Sequence, residues 1–155
     1  MILRCLADST GTSAGAGSVE RIRNWATTVL RFCELFLGDR SLAEEVTIDT
    51  FGQSPSVATN IPEGTPVQLL RDAFTRCRRR QARLTSDDTL HSAILRLAEV
   101  DRAIFILHAA LSIPTPWVAA IVGASHGETN RRWAEALFQL RDFLLPTGFF
   151  EERSK

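Results

Sequence analysis

The sequence predicts an all-helical fold of two small helical lobes, the second of which contains a helix-turn-helix. Along most of the chain, apolar residues recur at steps of three and four, the spacing that places them on one face of a helix. Glycines, prolines and capping residues separate these stretches, and the two-residue alternation of a half-buried strand does not stand out. The 155 residues are 45% hydrophobic and 23% charged, which is typical of a folded chain.

The same patterns divide the chain into five segments. Residues 1–18 are rich in small residues and predict a flexible arm, and residues 19–82 form the first lobe. A short linker at 83–89 precedes the second lobe at 90–146, and residues 147–155 are a tail.

In the first lobe, each of the first two helices has its own start or stop signal. The first runs from Glu20 to Gly38, where a glycine stops the apolar periodicity. Ser41 begins a capping box with Glu44 and predicts a second helix through Phe51.

The third helix follows a loop at residues 52–66 and leads into a cluster of arginines. Thr65 and Pro66 supply a cap and a first-turn proline. The chain is neutral, with eighteen basic and eighteen acidic residues, but residues 71–83 carry six arginines against one acid. Such a stripe suits contact with phosphates, and it equally suits a solvated helix end favoured by the helix dipole.

The second lobe contains a helix that is apolar nearly all round at residues 103–111, which predicts the centre of a small bundle. Pro114 and Pro116 break it, and a helix from Trp117 to Val122 follows. Upstream, a shorter helical stretch places three apolar residues at helical steps: Leu90, Ile94 and Leu97.

A glycine turn then connects to a helix predicted from His126 to about Leu145. Gly123 supplies a permissive backbone, and Ser125 and Glu128 form a capping box. The spacing predicts a buried face of Trp133, Leu137, Leu140 and Leu144. His126, Asn130 and Arg131 then lie on the outer side, where Arg suits guanine and Asn suits adenine. A helical hairpin with solvated arginines fits the same residues.

Other functional classes find little support. The three cysteines are far apart and predict free thiols, with Cys33 and Cys77 buried. The three histidines fall on separate helices, His108 packed in the core and His91 solvated, so we expect no metal, no cofactor and no enzymatic activity. No apolar run reaches membrane-spanning length and no signal peptide is evident, which predicts a cytoplasmic protein without a membrane partner.

Residues 101–141 resemble, without gaps, the C-terminal domain of sigma factors of the extracytoplasmic-function class. Residues 36–51 are similar to the family's polymerase-docking segment, and residues 69–80 to the basic helix that follows it. The matching positions of the C-terminal segment are Asp101, Arg102, Phe105, Leu107, Ala119, Gly123, Ser125, Gly127, Arg132, Ala136, Leu140 and Arg141. The succession of segments, over roughly residues 20–145, carries the resemblance.

The resemblance implies a protein that binds core RNA polymerase, directs it to promoter DNA and carries no catalysis of its own. The implied polymerase-binding residues are Glu44, Glu45, Asp49 and Phe51. The implied recognition-helix residues are His126, Asn130, Arg131 and Arg132, and the arginine stripe adds Arg78, Arg79 and Arg80 as candidate DNA contacts. An anti-sigma factor is a further candidate partner.

A second interpretation is a sigma-fold mimic that binds an anti-sigma factor or another regulator without opening promoters. The zero net charge favours it, as does a loop at residues 52–66 without an aromatic, Lys or Arg side chain. Melting DNA requires a platform on which an extruded base can stack, and this loop offers none. A one-component DNA-binding regulator fits less well, because no segment is left for a ligand domain.

Overall fold

The computed structural model describes residues 16–53, 65–80 and 89–145, and within these ranges the chain forms seven α-helices and no strand. The all-helical prediction is therefore confirmed. The predicted arm up to residue 15, most of the loop, residues 81–88 and the tail lie outside the described residues. Residues 81–88 include all of the predicted linker at 83–89 except Thr89, which begins a helix.

The first lobe consists of α1 (Ala16–Leu37), α2 (Arg40–Gly52) and α3 (Thr65–Cys77). Gly38 stops α1 as predicted, in a left-handed conformation with φ of 69° that favours glycine. The start of α2 differs from the prediction. Asp39, not Ser41, is the N-cap, because its carboxylate accepts a hydrogen bond from the Leu42 N–H at 3.0 Å.

The second lobe consists of α4 (Thr89–Arg96), α5 (Glu99–Phe105), α6 (Thr115–Val122) and α7 (His126–Leu144). The end of α5 widens into a π-helical turn at Ile106–Ala110, which contains His108. Trp133 of α7 stacks on Phe105 with ring centroids 5.6 Å apart and contacts the His108 ring at 5.1 Å. These aromatic contacts pack α7 against α5 and its π-helical turn.

One hydrophobic core runs through both lobes. Helix α3 packs against α6, and α1 packs against α4 and the π-helical turn. Large side chains such as Phe36, Leu70, Leu107 and Ile121 are fully buried in this shared core. Cys33 and Cys77 are free thiols in its first-lobe half, as predicted, with Sγ atoms 3.6 Å apart.

Two predictions of burial are corrected. His91, expected to be solvated, is half-buried, with Nε2 lying 3.2 Å from the Leu35 carbonyl oxygen of α1. Leu137 and Leu144, expected in the buried face of α7, are 44% and 37% exposed. Leu140 is buried as predicted and Trp133 is half-buried, while the other buried residues of α7 are Thr129 and Ala136.

Candidate nucleic-acid interface

Helices α6 and α7 meet at a three-residue turn that lies where the sequence predicted it. Gly123 ends α6 with φ of 74° and donates its N–H to the Ala119 carbonyl. Ser125 caps α7, its Oγ accepting from the Glu128 N–H at 3.2 Å. Thr129 is buried on the inner side of the first turns of α7, and the opposite side of these turns faces solvent.

Two of the predicted recognition residues are exposed on that side. His126 and Asn130 project from the first turns of α7, and neither side chain hydrogen-bonds to another described residue. Both are therefore accessible to a ligand, and the reading of DNA by this helix stays a prediction.

The other two, Arg131 and Arg132, are held by acids. Arg131 donates from Nη2 to both oxygens of Glu128, at 2.8 and 2.9 Å, and from Nε to Oε2 at 3.1 Å. Its Nη1 contacts Glu135. Arg132 donates from Nε to Glu128 at 2.6 Å and from Nη1 to Asp101 of α5 at 3.0 Å. We call Asp101, Glu128, Arg131, Arg132 and Glu135 the acid–arginine network.

The network contains three carboxylates and two guanidiniums, and the pKa values of Glu128 and of both arginines are shifted in favour of their charged forms. Hydrogen bonds from Arg131 and Arg132 lower the pKa of Glu128. The hydrogen bonds that Arg131 donates to Glu128 raise the pKa of Arg131, and those that Arg132 donates to Asp101 and Glu128 raise the pKa of Arg132. The first turns of α7 therefore carry no surplus of positive charge, contrary to what an arginine pair alone suggests.

The predicted capping box is half formed. Ser125 accepts from the backbone as expected, but the Glu128 carboxylate is turned to the arginines instead of back to the Ser125 N–H. Glu128 stands three residues before Arg131 and four before Arg132. These spacings bring side chains together on one helix face, which explains why its carboxylate binds the arginines.

Two of the three candidate DNA-contacting arginines that follow α3 are also paired with acids. Arg78 bonds Glu99 of α5 at 3.0 Å. Arg80 lies 3.8 Å from Glu45 and 4.0 Å from Asp49, both on α2. Arg79 is exposed and makes no ion pair with a described residue. Of the three predicted phosphate contacts, Arg79 is thus the one whose charge is unopposed within the described part of the chain.

The predicted polymerase-binding residues divide into surface and core. Glu45 and Asp49 lie on the outward side of α2, beside Ile48, which is 55% exposed. Glu44 is half-buried and bonds Arg40 at 3.2 Å. Phe51 is only 9% exposed and packs in the core, so its side chain holds α2 in place and is not available to a partner.

Within residues 16–53, 65–80 and 89–145, no group of three or more His, Cys, Asp or Glu residues is arranged to hold a metal ion. Over the same ranges, no helix is both long enough and apolar enough to cross a membrane.

No family model matches the chain, and no curated protein matches it in sequence. Among solved structures, it matches the sigma factor RpoE from Bartonella quintana, crystallised in complex with the anti-sigma factor NepR. The TM-score is 0.66 at 16% identity, and the match covers 81% of this chain and 94% of the other. The chain has a sigma-factor-like fold.

The match to this sigma factor spans both lobes, because the residues that it leaves out are fewer than either lobe contains. The acid–arginine network was not predicted from the sequence. A signal was present: Glu128 stands three and four residues before the arginine pair, the spacing of helical ion pairs.

Proposed function

We propose that the chain is a divergent sigma-factor-like protein that binds core RNA polymerase and promoter DNA in the cytoplasm, where polymerase works. The observation that carries this proposal is the fold match to a sigma factor, which extends over both lobes. The accessible His126 and Asn130 at the start of α7 support a DNA-contacting role for that helix. The protein then acts by binding alone, without a catalytic group or cofactor.

The proposed contact with polymerase is the outward side of α2. Glu45 and Asp49 flank Ile48 there, so an exposed apolar side chain is bordered by two carboxylates. An apolar centre with a charged rim is the usual make-up of a protein interface. Phe51 contributes indirectly, because its burial fixes the helix that carries these residues.

The test is co-purification of core RNA polymerase from the same organism with the wild-type chain and the Glu45→Arg variant. We expect the wild type to bind and the variant to bind roughly tenfold more weakly, since a reversed charge at an interface opposes association. Glu20→Arg is the matched control, because Glu20 is an exposed acid that belongs to α1 and pairs with Arg23 of the same helix. If Glu45→Arg and Glu20→Arg bind polymerase equally well, the outward side of α2 is not the polymerase contact.

Promoter use is tested next, by run-off transcription from a library of genomic fragments. Polymerase holding the wild-type chain should select a subset of fragments that core enzyme alone does not transcribe. Selection of none, by a complex that has formed, would exclude promoter recognition while leaving polymerase binding intact.

A second candidate function is favoured by the acid–arginine network and the shared core. Arg131 and Arg132 are paired with acids, and one hydrophobic core joins the two lobes. Both features suit a sigma-fold mimic that binds an anti-sigma factor. The matched sigma factor was itself crystallised with an anti-sigma factor. The test is a transcription reaction in which a sigma factor is inhibited by its anti-sigma factor. If the chain is a mimic, adding it should restore the transcript, although the chain itself does not bind core polymerase.

A further inference from the structure

The Glu128 carboxylate binds both arginines near the start of α7, Arg131 and Arg132, at once. It accepts from Nε and Nη2 of Arg131 and from Nε of Arg132. The remaining contacts of Arg131 and Arg132 go to Glu135 and Asp101. Every nitrogen of the Arg131 guanidinium therefore has a carboxylate partner within α7.

These contacts occupy the groups that DNA would use. An arginine reads guanine, or grips a phosphate, with two neighbouring N–H groups in a fork. In Arg131 the fork made by Nε and Nη2 is closed on Glu128. A phosphate that took the place of this carboxylate would exchange one anion for another, and it would meet the charge of Glu128 at short range.

We propose that Glu128 is a specificity-determining residue that limits the binding of α7 to DNA of arbitrary sequence by holding the Nε–Nη2 fork of Arg131 and the Nε–H of Arg132. The proposal rests on the proposed function, since it assigns the control of the same DNA-contacting helix. DNA of arbitrary sequence is bound chiefly through its phosphates, and the Glu128 carboxylate weakens these contacts most. A site that presents suitable base edges to His126 and Asn130 has further contacts with which to offset the loss.

The test measures binding of the full chain to a labelled duplex of random sequence, by fluorescence anisotropy at a series of salt concentrations. Glu128→Gln removes the charge and keeps the shape of the side chain. We expect it to bind the duplex roughly tenfold more tightly than the wild type, with the slope of log K against log salt steeper by about one to two.

Two further variants decide whether these contacts of Glu128 with the arginines are responsible. Glu135→Gln removes the same charge but leaves the fork between Arg131 and Glu128 closed, so we expect a gain of about threefold or less. Adding Arg131→Ala and Arg132→Ala to Glu128→Gln should abolish the gain. Equal gains from Glu128→Gln and Glu135→Gln would overturn the proposal, because net charge alone would then account for them.

The outcomes also separate this proposal from the proposed function. If Glu128→Gln binds DNA no more tightly while the wild type still binds polymerase and selects promoters, the role of Glu128 is wrong and the function stands. If the wild type binds neither polymerase nor DNA and Glu128→Gln binds no DNA, both fail. Circular dichroism of each variant checks the fold, which we expect to be kept because Ser125 still caps α7.

Discussion

Arg102 of α5 donates from Nη1 to the carbonyl oxygen of Phe36, 3.1 Å away at the end of α1, and so joins the two lobes. Its Nη2 donates to the carbonyls of Leu95 and Leu97 at the end of α4. The last carbonyls of a helix have no partner within it, so one buried guanidinium satisfies two helix ends. Its carbon lies 5.1 Å from the centre of the Phe36 ring, and burial lowers its pKa.

Replacing Arg102 by Ala should lower the free energy of unfolding by about 3 kcal/mol or more, since three buried carbonyls lose a charged donor. The measurement is urea unfolding followed by circular dichroism. Arg21→Ala is the matched control, because Arg21 also donates to a carbonyl, that of Gly17, but at an exposed position. We expect the control to stay within about 0.5 kcal/mol of the wild type. Similar losses in both variants would contradict the role of Arg102.

The helices were predictable because their signals are local. Spacing, caps and breakers gave the extents of α6 and α7 to within about two residues. The joining of the lobes was not predictable in this way. It depends on contacts such as that of Arg102 with Phe36, which are 66 positions apart and leave no periodic trace in the sequence. The burial of His91 against α1 was missed for the same reason.

The turn before α7 depends on the left-handed backbone of Gly123. A Cβ at this position meets nothing within 4 Å, so Gly123→Ala changes the backbone energy and not the packing. A φ of 74° costs an L-residue about 1–2 kcal/mol, and each kcal/mol lowers Tm by about 2–4 °C in a chain of this size. Gly127→Ala is the control, since that glycine is helical and equally uncrowded, and it should raise Tm or leave it unchanged. Thermal melts in which both variants fall together would contradict this account.

The buried thiols of Cys33 and Cys77 should be inert in the folded protein. Both thiols are fully buried. The hydrogen bond with Cys33 is the larger cause, and burial the second, that raises the pKa of Cys77 far above its usual range. Thiolate is the reactive form, so we expect no reaction with a thiol-specific disulfide reagent in buffer and two reacting thiols in denaturant. The measurement is made on a Cys5→Ser variant, which leaves only this pair. Rapid reaction in buffer would mean that the core of the first lobe opens readily.

The candidate site was predictable in its location and less so in its chemistry. The outward direction of Asn130 and His126 followed from the spacing of α7. The pairing of Arg132 with Asp101 did not, because Asp101 lies 31 positions away on α5. Phe51 was assigned to a partner from its place in a resembling segment, whereas its burial depends on how α2 packs in three dimensions.

His108 should make the stability of the fold depend on pH near neutrality. Its Nε2 is buried and has no hydrogen-bond partner among the described residues. Burial lowers the pKa of His108 from its ordinary value, opposed by a hydrogen bond with the backbone of Ile113. The unfolded chain then binds a proton more readily than the folded one, so stability falls as pH drops below about 6.5, until the folded histidine also protonates.

The measurement is Tm between pH 8 and pH 5 for the wild type and for His108→Asn, whose amide can still donate near the position of Nδ1. We expect the wild type to lose more Tm than the variant as pH falls through this range. Glu128 also destabilises the fold on protonation, but its pKa lies below 4.5, so its effect begins at more acid pH. Parallel curves for wild type and variant would show that His108 binds its proton equally well in both states.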